Sequence, residues 1–445
     1  MKVKNIVLAV AAAIATPSAF AANLVTTAPT VAASNIFYIS GASAQTPGLA
    51  KAVGKFCTSG LVTYVDSVDG KTAFVYKCGV ANTATSGLSG AFIVVKTDAG
   101  GSYYGVGPVI SQTVQKFPDI TNVTVGATPA TTNLSDVAGV LTGTAEFTTG
   151  ANVKPQIGLS DVSAAIWRAR GVSFPTVGFT EVAGFAGQGF GVVVSSALYA
   201  LLQADQGTTG QPSISSTNYA NLVSGVDTVW QKLLPNTAVA SLPTTLTLAR
   251  RVATSGTQAA SDIYFLRSPC ETGTTLGGAL GPTTVGVYAD ATIPGHATTF
   301  TVKEESSTGG VKTDVGSGYA IGVISLENQE PTTVGSWRYV KINGVSPNAY
   351  NNLADTTQKL SILNGQYDFA YESTLITNDA VTTANANVAT LAASLVTDLG
   401  EGSNLTTTPG IYADPFNAGG TYVVGQTNRY TRTNNACQVS QLVIQ

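Results

Sequence analysis

The residues best suited to chemistry lie together in Arg250-Arg251-Val252-Ala253-Thr254-Ser255-Gly256-Thr257. Two arginines precede a Ser-Gly-Thr turn, and Ala259, Ile263 and Leu266 follow at the spacing of one helix face. A helix that starts at such a turn presents backbone N–H groups with no partner inside the helix, at the positive end of its dipole. Gly256 lets the backbone come close to an anion, Ser255 and Thr257 add hydroxyl donors, and Arg251 lies near enough to supply a charge-assisted contact. That is anion-binding chemistry. Read alone, the same residues would also make an ordinary capped helix beside a surface loop.

Other chemistry is poorly provided for. The single histidine, His296, sits in Ile293-Pro294-Gly295-His296-Ala297, a loop context, and no serine stands in a G-x-S-x-G elbow. One histidine and scattered carboxylates do not suggest a catalytic or structural metal. The chain is therefore read as a non-enzyme, without cofactor or metal.

Three more segments repeat the strand, small-residue loop, helix pattern. Ile36-Phe37-Tyr38-Ile39 is a buried strand that breaks into Ser40-Gly41-Ala42-Ser43-Ala44-Gln45-Thr46-Pro47, with Pro47 suited to a first helical turn and Leu49, Val53 and Phe56 on the helix face. Asp98-Ala99-Gly100-Gly101-Ser102 offers Ser102 as a donor before a helix from Val106. Gln156-Ile157-Gly158-Leu159 hands over at Ser160-Asp161 to a helix over 162–170, where Asp161 reads first as a cap. Further strands are expected at 192–194, 246–251, 319–326, 337–342 and 366–372, and helices at 197–203, 219–234 and 388–399. Residues 118–154, rich in Thr, Gly and Asn, read as a surface excursion. Strands alternating with helices give an α/β protein with mainly parallel pairing, which binds ligands at the carboxyl ends of its strands.

The 445 residues carry 22 basic and 25 acidic side chains, a formal charge of −3, with 44% hydrophobic and 11% charged residues. This is a folding composition with no basic surface for nucleic acid and no polybasic membrane patch. Met1–Ala21 reads as a signal peptide: Lys2 and Lys4 before an apolar run, then Ala19-Phe20-Ala21 at the cleavage site. Its removal takes both lysines and moves the formal charge from −3 to −5. No cysteine follows the cleavage site to carry a lipid, and no later run is long enough to span a bilayer. A periplasmic, secreted or cell-surface location is expected. Cys57, Cys78, Cys270 and Cys437 allow three disulfide pairings, and nearness in sequence suggests Cys57–Cys78 and Cys270–Cys437.

Taken in order, G-A-S-A-Q-T-P after the first strand, G-G-S, S-D and R-x-x-x-S-G-T resemble the periplasmic phosphate-binding proteins of ABC transporters. Tyr319-Ala320-Ile321-Gly322-Val323, Lys341-Ile342-Asn343-Gly344-Val345 and Leu363-Asn364-Gly365-Gln366-Tyr367 are similar to later segments of that family, so the resemblance runs from about Ile36 to Glu372. It implies two α/β lobes of the type 2 periplasmic-binding-protein fold, joined by two crossover strands with the ligand in the cleft. The lobes would comprise residues 35–180, then 181–334 as the second lobe, then 335–445 as the rest of the first lobe and the tail. The implied ligand residues are Ala44, Gln45, Thr46, Ser102, Asp161, Arg251, Ser255, Gly256 and Thr257. Asp161 would accept the proton of a bound phosphate, so sulfate, which carries none, would be rejected.

Two departures accompany the resemblance. Ala253 stands where the family has an aspartate that tethers the arginine, which implies a less preorganised Arg251. Gln45 and Thr46 stand where the family has a threonine and an aromatic. The expected function is capture of a small oxyanion, most of all phosphate, by an exported protein with an ABC permease as partner. The low charge and the Thr/Ser/Ala/Gly/Asn content also suit an alternative, a surface-structural, filament-forming or adhesive protein on the same fold.

Overall fold

The computed structural model describes residues 20–68, 71–125, 141–147, 150–225, 230–270, 283–290, 293–330, 336–347, 359–406, 408–414 and 422–442. Most of the expected signal peptide, residues 1–19, lies outside them. Phe20–Ala22 forms a short strand antiparallel to Val123–Val125.

Branched and aromatic runs form the buried strands, as their β preference and lack of polar alternation require. They are β1 (Ile36–Gly41), β2 (Val62–Val68), β3 (Lys71–Cys78), β4 (Phe92–Thr97), β5 (Ile157–Ser160), β6 (Phe179–Ser195), β7 (Thr245–Arg251), β8 (Thr298–Glu305), β9 (Ala320–Ser325) and β10 (Ala370–Asn378). Their order across the sheet is β2-β3-β4-β1-β5-β10-β6-β9-β7-β8. Pairing is mixed rather than mainly parallel. β1 is parallel to β4 and β5, and β7 is parallel to β8 and β9. β10 is antiparallel to both β5 and β6, and β6 is antiparallel to β9.

β6 and β10 join two halves of this sheet. The first part of β6 pairs with β10, its register shifts between Ala183 and Gly187, and its last residues, Phe190–Val194, pair with β9. The two crossover strands of a two-lobed α/β molecule are therefore present. One apolar core gathers Phe37, Ile39, Leu49, Val53, Phe56 and the helix residues Leu391, Leu395 and Leu399. Complete burial of such side chains contributes about 1.5–3 kcal/mol each. A second core is built on Val192, Leu248, Phe300, Ile321 and Phe369 and reaches Val109 and Trp167, and a third, smaller one gathers Leu24, Val75, Ile93 and Phe117.

Trp337–Tyr339 pairs with Val193–Ser195 of β6, and Phe369 lies in the same core as Val192 and Leu248.

The helices used below are α1 (Thr46–Phe56), α2 (Ala164–Ala169), α3 (Gly256–Leu266), α4 (Thr308–Asp314) and α5 (Ala386–Gly400). The helical stretch expected over 219–234 is a helix at Ser216–Ser224 and a 3-10 turn at Trp230–Leu233, with 226–229 outside the described residues. The excursion over 118–154 contains strands, among them Leu141–Phe147 beside β2. Both disulfides pair as expected, Cys57 with Cys78 and Cys270 with Cys437. The second ties the tail to the chain just beyond the end of α3. Among the described residues, no helix is long and apolar enough to cross a membrane.

Candidate functional site

The carboxyl ends of β1, β4, β5, β7 and β9 bring the site together. β1 ends where its backbone touches β5. Ala42 N donates to Leu159 O at 2.8 Å, and Gly41 has φ +111 with a would-be Cβ only 2.0 Å from that carbonyl, so only glycine fits. Ser43–Gln45 then makes a 3-10 turn into α1, with Pro47 in the first turn. Ala44, Gln45 and Thr46 are all buried. Gln45 Nε2 donates to Ser373 Oγ on β10 at 2.8 Å, and its Oε1 has no partner. Thr46 Oγ1 donates to Asp98 Oδ1 at 3.0 Å, the same oxygen that receives Lys96 Nζ at 2.6 Å.

Asp161 is not a helix cap. α2 begins at Ala164 behind Ser163, and Asp161 instead accepts a hydrogen bond from Ser102 Oγ at 2.8 Å through Oδ2. Its Oδ1 is buried without a partner. The start of α3 sits directly on this pair: a Cβ on Gly256 would lie 2.3 Å from both Asp161 Oδ2 and Ser102 Oγ. Gly256 is required for close approach. Ser255 holds the N-cap position of α3 without a capping side-chain bond, and Ser255 and Thr257 are buried there.

Arg251 is held after all, from a different loop than the resemblance implied. Ala253 provides no carboxylate, but Arg251 Nη1 donates to Thr308 Oγ1 at 2.7 Å and Nη2 to Ser306 O at 3.2 Å, both at the start of α4. Its backbone N donates to Gln258 Oε1 at 3.0 Å, and Gln258 Nε2 donates in turn to Asp262 Oδ1 at 2.8 Å. Arg251 Nε is the buried guanidinium donor left without a partner. Arg250, the neighbour on the other face of β7, is engaged by Glu304 at 2.9 Å.

The structure thus gathers Gln45, Ser102, Asp161, Arg251 and Gly256, with Ala44, Thr46, Ser255 and Thr257 in the adjoining helix starts. Burial pushes the Asp161 carboxyl up to about 6, against the opposing pull of Ser102, Arg251, Gln45 and Lys96. Burial lowers Arg251, while Asp161, Glu327, Asp98 and Glu305 favour its charged form. Glu327 escaped the sequence reading. It follows β9, and burial pushes it up to about 7, with the hydrogen bond from Ser325 opposing and the charge of Asp161 adding to the rise. Its oxygens accept from Ser325 Oγ at 2.7 Å, Asn328 Nδ2 at 2.8 Å and Gln188 Nε2 at 3.2 Å. A carboxylate directly after a strongly buried strand, at the same sheet edge as Arg251, was the available signal. Thr308, Ser373 and Gln188 gave none, because single hydroxyls and amides are common everywhere.

The lobes touch across the cleft. Tyr103 N donates to Thr254 O at 3.1 Å, and Arg170, just after α2, pairs with Asp262 on α3 at 2.8 Å.

No family model matches the chain, and no curated protein matches it. Among solved structures, an ABC-type phosphate transport receptor from Vibrio cholerae is similar at 13% identity and TM-score 0.31, over 54% of this chain and 77% of its own. The PstS protein of Borrelia burgdorferi is similar at 12% identity and TM-score 0.33, over 80% of this chain and 92% of its own. A full-length OxyR variant from Pseudomonas aeruginosa is similar at 11% identity and TM-score 0.27, over 54% of this chain and 52% of its own.

Proposed function

We propose that this chain is an exported solute-binding protein that captures a small oxyanion, most of all phosphate, between its two lobes and passes it to an ABC permease. One observation carries the reading. Groups from both lobes converge in one buried cluster: the N-terminus of α3 with Gly256 and Arg251 from one side, Ser102 and Asp161 from the other. Backbone N–H groups and the guanidinium would bind the anion's oxygens, and Asp161 Oδ1 would accept a hydrogen bond from a protonated oxygen. Binding would break no bond. Opening and closing about β6 and β10 would admit and release the ligand.

A thermal-shift series with phosphate, arsenate, sulfate and small carboxylates tests this. A ligand at a hundredfold excess over its Kd stabilises the folded protein by about 2.7 kcal/mol, so phosphate and arsenate should raise the melting temperature in a saturable way. A flat response to every oxyanion would refute capture.

A further inference from the structure

Around the site most side-chain hydrogens are already committed. A hydroxyl has one hydrogen to donate. Ser102 gives its own to Asp161 Oδ2 at 2.8 Å, and Thr46 gives its own to Asp98 Oδ1 at 3.0 Å, a carboxylate that Lys96 Nζ holds at 2.6 Å. Gln45 is completely buried, and its Nε2 donates to Ser373 Oγ at 2.8 Å. Ser160 pairs with Thr374 where β5 runs antiparallel to β10, so Ser373 stands beside Asp161 and the Gln45 amide is fixed there. The same amide opposes the rise that burial imposes on the Asp161 carboxyl, and turning it over would set its oxygen against that carboxylate. Among the described side chains of the site, these bonds leave two acceptors unpaired, Asp161 Oδ1 and Gln45 Oε1, against one donor, Arg251 Nε.

Resting on the oxyanion-capture reading, we infer that Gln45 is a specificity-determining residue whose Oε1 accepts a second hydrogen from the ligand, beside the one that Asp161 Oδ1 accepts. The site thereby selects a small oxyanion with hydroxyl groups on two of its oxygens. Monobasic phosphate and arsenate have two hydroxyls and two bare oxygens. The hydroxyls match the two unpaired acceptors, and the bare oxygens are left for Arg251 and the backbone N–H groups at the start of α3. Phosphite in its singly charged form has one hydroxyl and sulfate has none, so each leaves a buried acceptor without a hydrogen. One such unmatched acceptor lowers affinity by about ten- to a hundredfold.

Calorimetric titration with inorganic phosphate and with phosphite at about pH 5.5, where both are singly charged, separates hydroxyl count from charge. The parent should bind phosphate about ten- to a hundredfold more tightly than phosphite. Gln45→Met keeps the length of the side chain and removes its acceptor, so the two affinities should come within about threefold of each other. A packing role alone would weaken both anions alike, and an unchanged ratio in Gln45→Met would overturn the inference while leaving capture standing. A parent that binds both anions equally would overturn it in the same way. A parent that binds neither at any pH would overturn capture, and this inference with it. Should Gln45→Met fail to fold, the parent labelled with 13C at the glutamine side-chain carbonyls gives the answer. The Gln45 signal should move when phosphate is added and hold its place with phosphite, and the same response to both would overturn the inference.

Discussion

Removing the Arg251 side chain would leave a desolvated anion without its charged partner, so Arg251→Ala should weaken phosphate binding by about 2–5 kcal/mol. Arg250→Ala, which breaks the pair with Glu304, should change it little. Equal effects of the two would show that the anion lies elsewhere. Asp161→Asn bears on selectivity. An amide can donate to an unprotonated oxygen, so the variant should narrow the preference for phosphate over sulfate, read as the ratio of calorimetric Kd values. An unchanged ratio would contradict the role given to Asp161. At this scale the sequence was informative wherever a residue type has few other uses, as with Arg251 before Ser-Gly-Thr. It was silent on Thr308 and Ser306, which replace the missing aspartate at Ala253, because their placement depends on β8 lying beside β7.

Among the elements, the segment from the end of α1 to the end of β3, which holds β2 and β3, is closed by Cys57–Cys78 over a separation of 21 residues. The chain-entropy model assigns such a loop about 3 kcal/mol. The Cys57→Ser, Cys78→Ser double variant should lose about that much in denaturant unfolding, without losing phosphate affinity, since neither cysteine touches the cleft. A loss well below about 1 kcal/mol would mean that the reduced chain keeps most of this order on its own. The short buried strands β1, β5, β7 and β9 were legible from their apolar runs, and the start of α1 from Pro47, whereas β6 was expected only at 192–194, β10 at 366–372 and β8 not at all. The sheet order was not. Nothing in Trp337–Tyr339 announces that it joins β6, and nothing in Ala370–Asn378 announces a crossover, because hydrogen-bond partners distant in sequence leave no local mark.

For the molecule as a whole, the Asp161 and Glu327 carboxyls give unliganded protein a pH dependence of definite sign. Asp161 rises from 3.8 to about 6 on folding and Glu327 from 4.5 to about 7, so the folded state holds more protons than the unfolded chain between those limits. Their contribution is fully present below the unfolded values and is lost as pH rises through the folded ones. Without ligand, the melting temperature should therefore fall between about pH 5 and pH 7.5, and the Asp161→Asn, Glu327→Gln double variant should flatten that fall. A parent more stable at the alkaline end of this window, by an amount the double variant does not change, would contradict it. The cross-cleft contacts of Tyr103 with Thr254 and of Arg170 with Asp262 belong to the same scale, since they hold the two lobes against each other around the site.

On the proposed function, the cleft selects a small oxyanion that carries a proton. Equilibrium dialysis of the purified protein against radiolabelled phosphate, with unlabelled sulfate or arsenate as competitor, decides the matter. Saturable retention of one phosphate per chain is expected, displaced by arsenate and undisturbed by a large excess of sulfate. Displacement by sulfate as readily as by arsenate, or no retention at all, would refute selection of a protonated oxyanion.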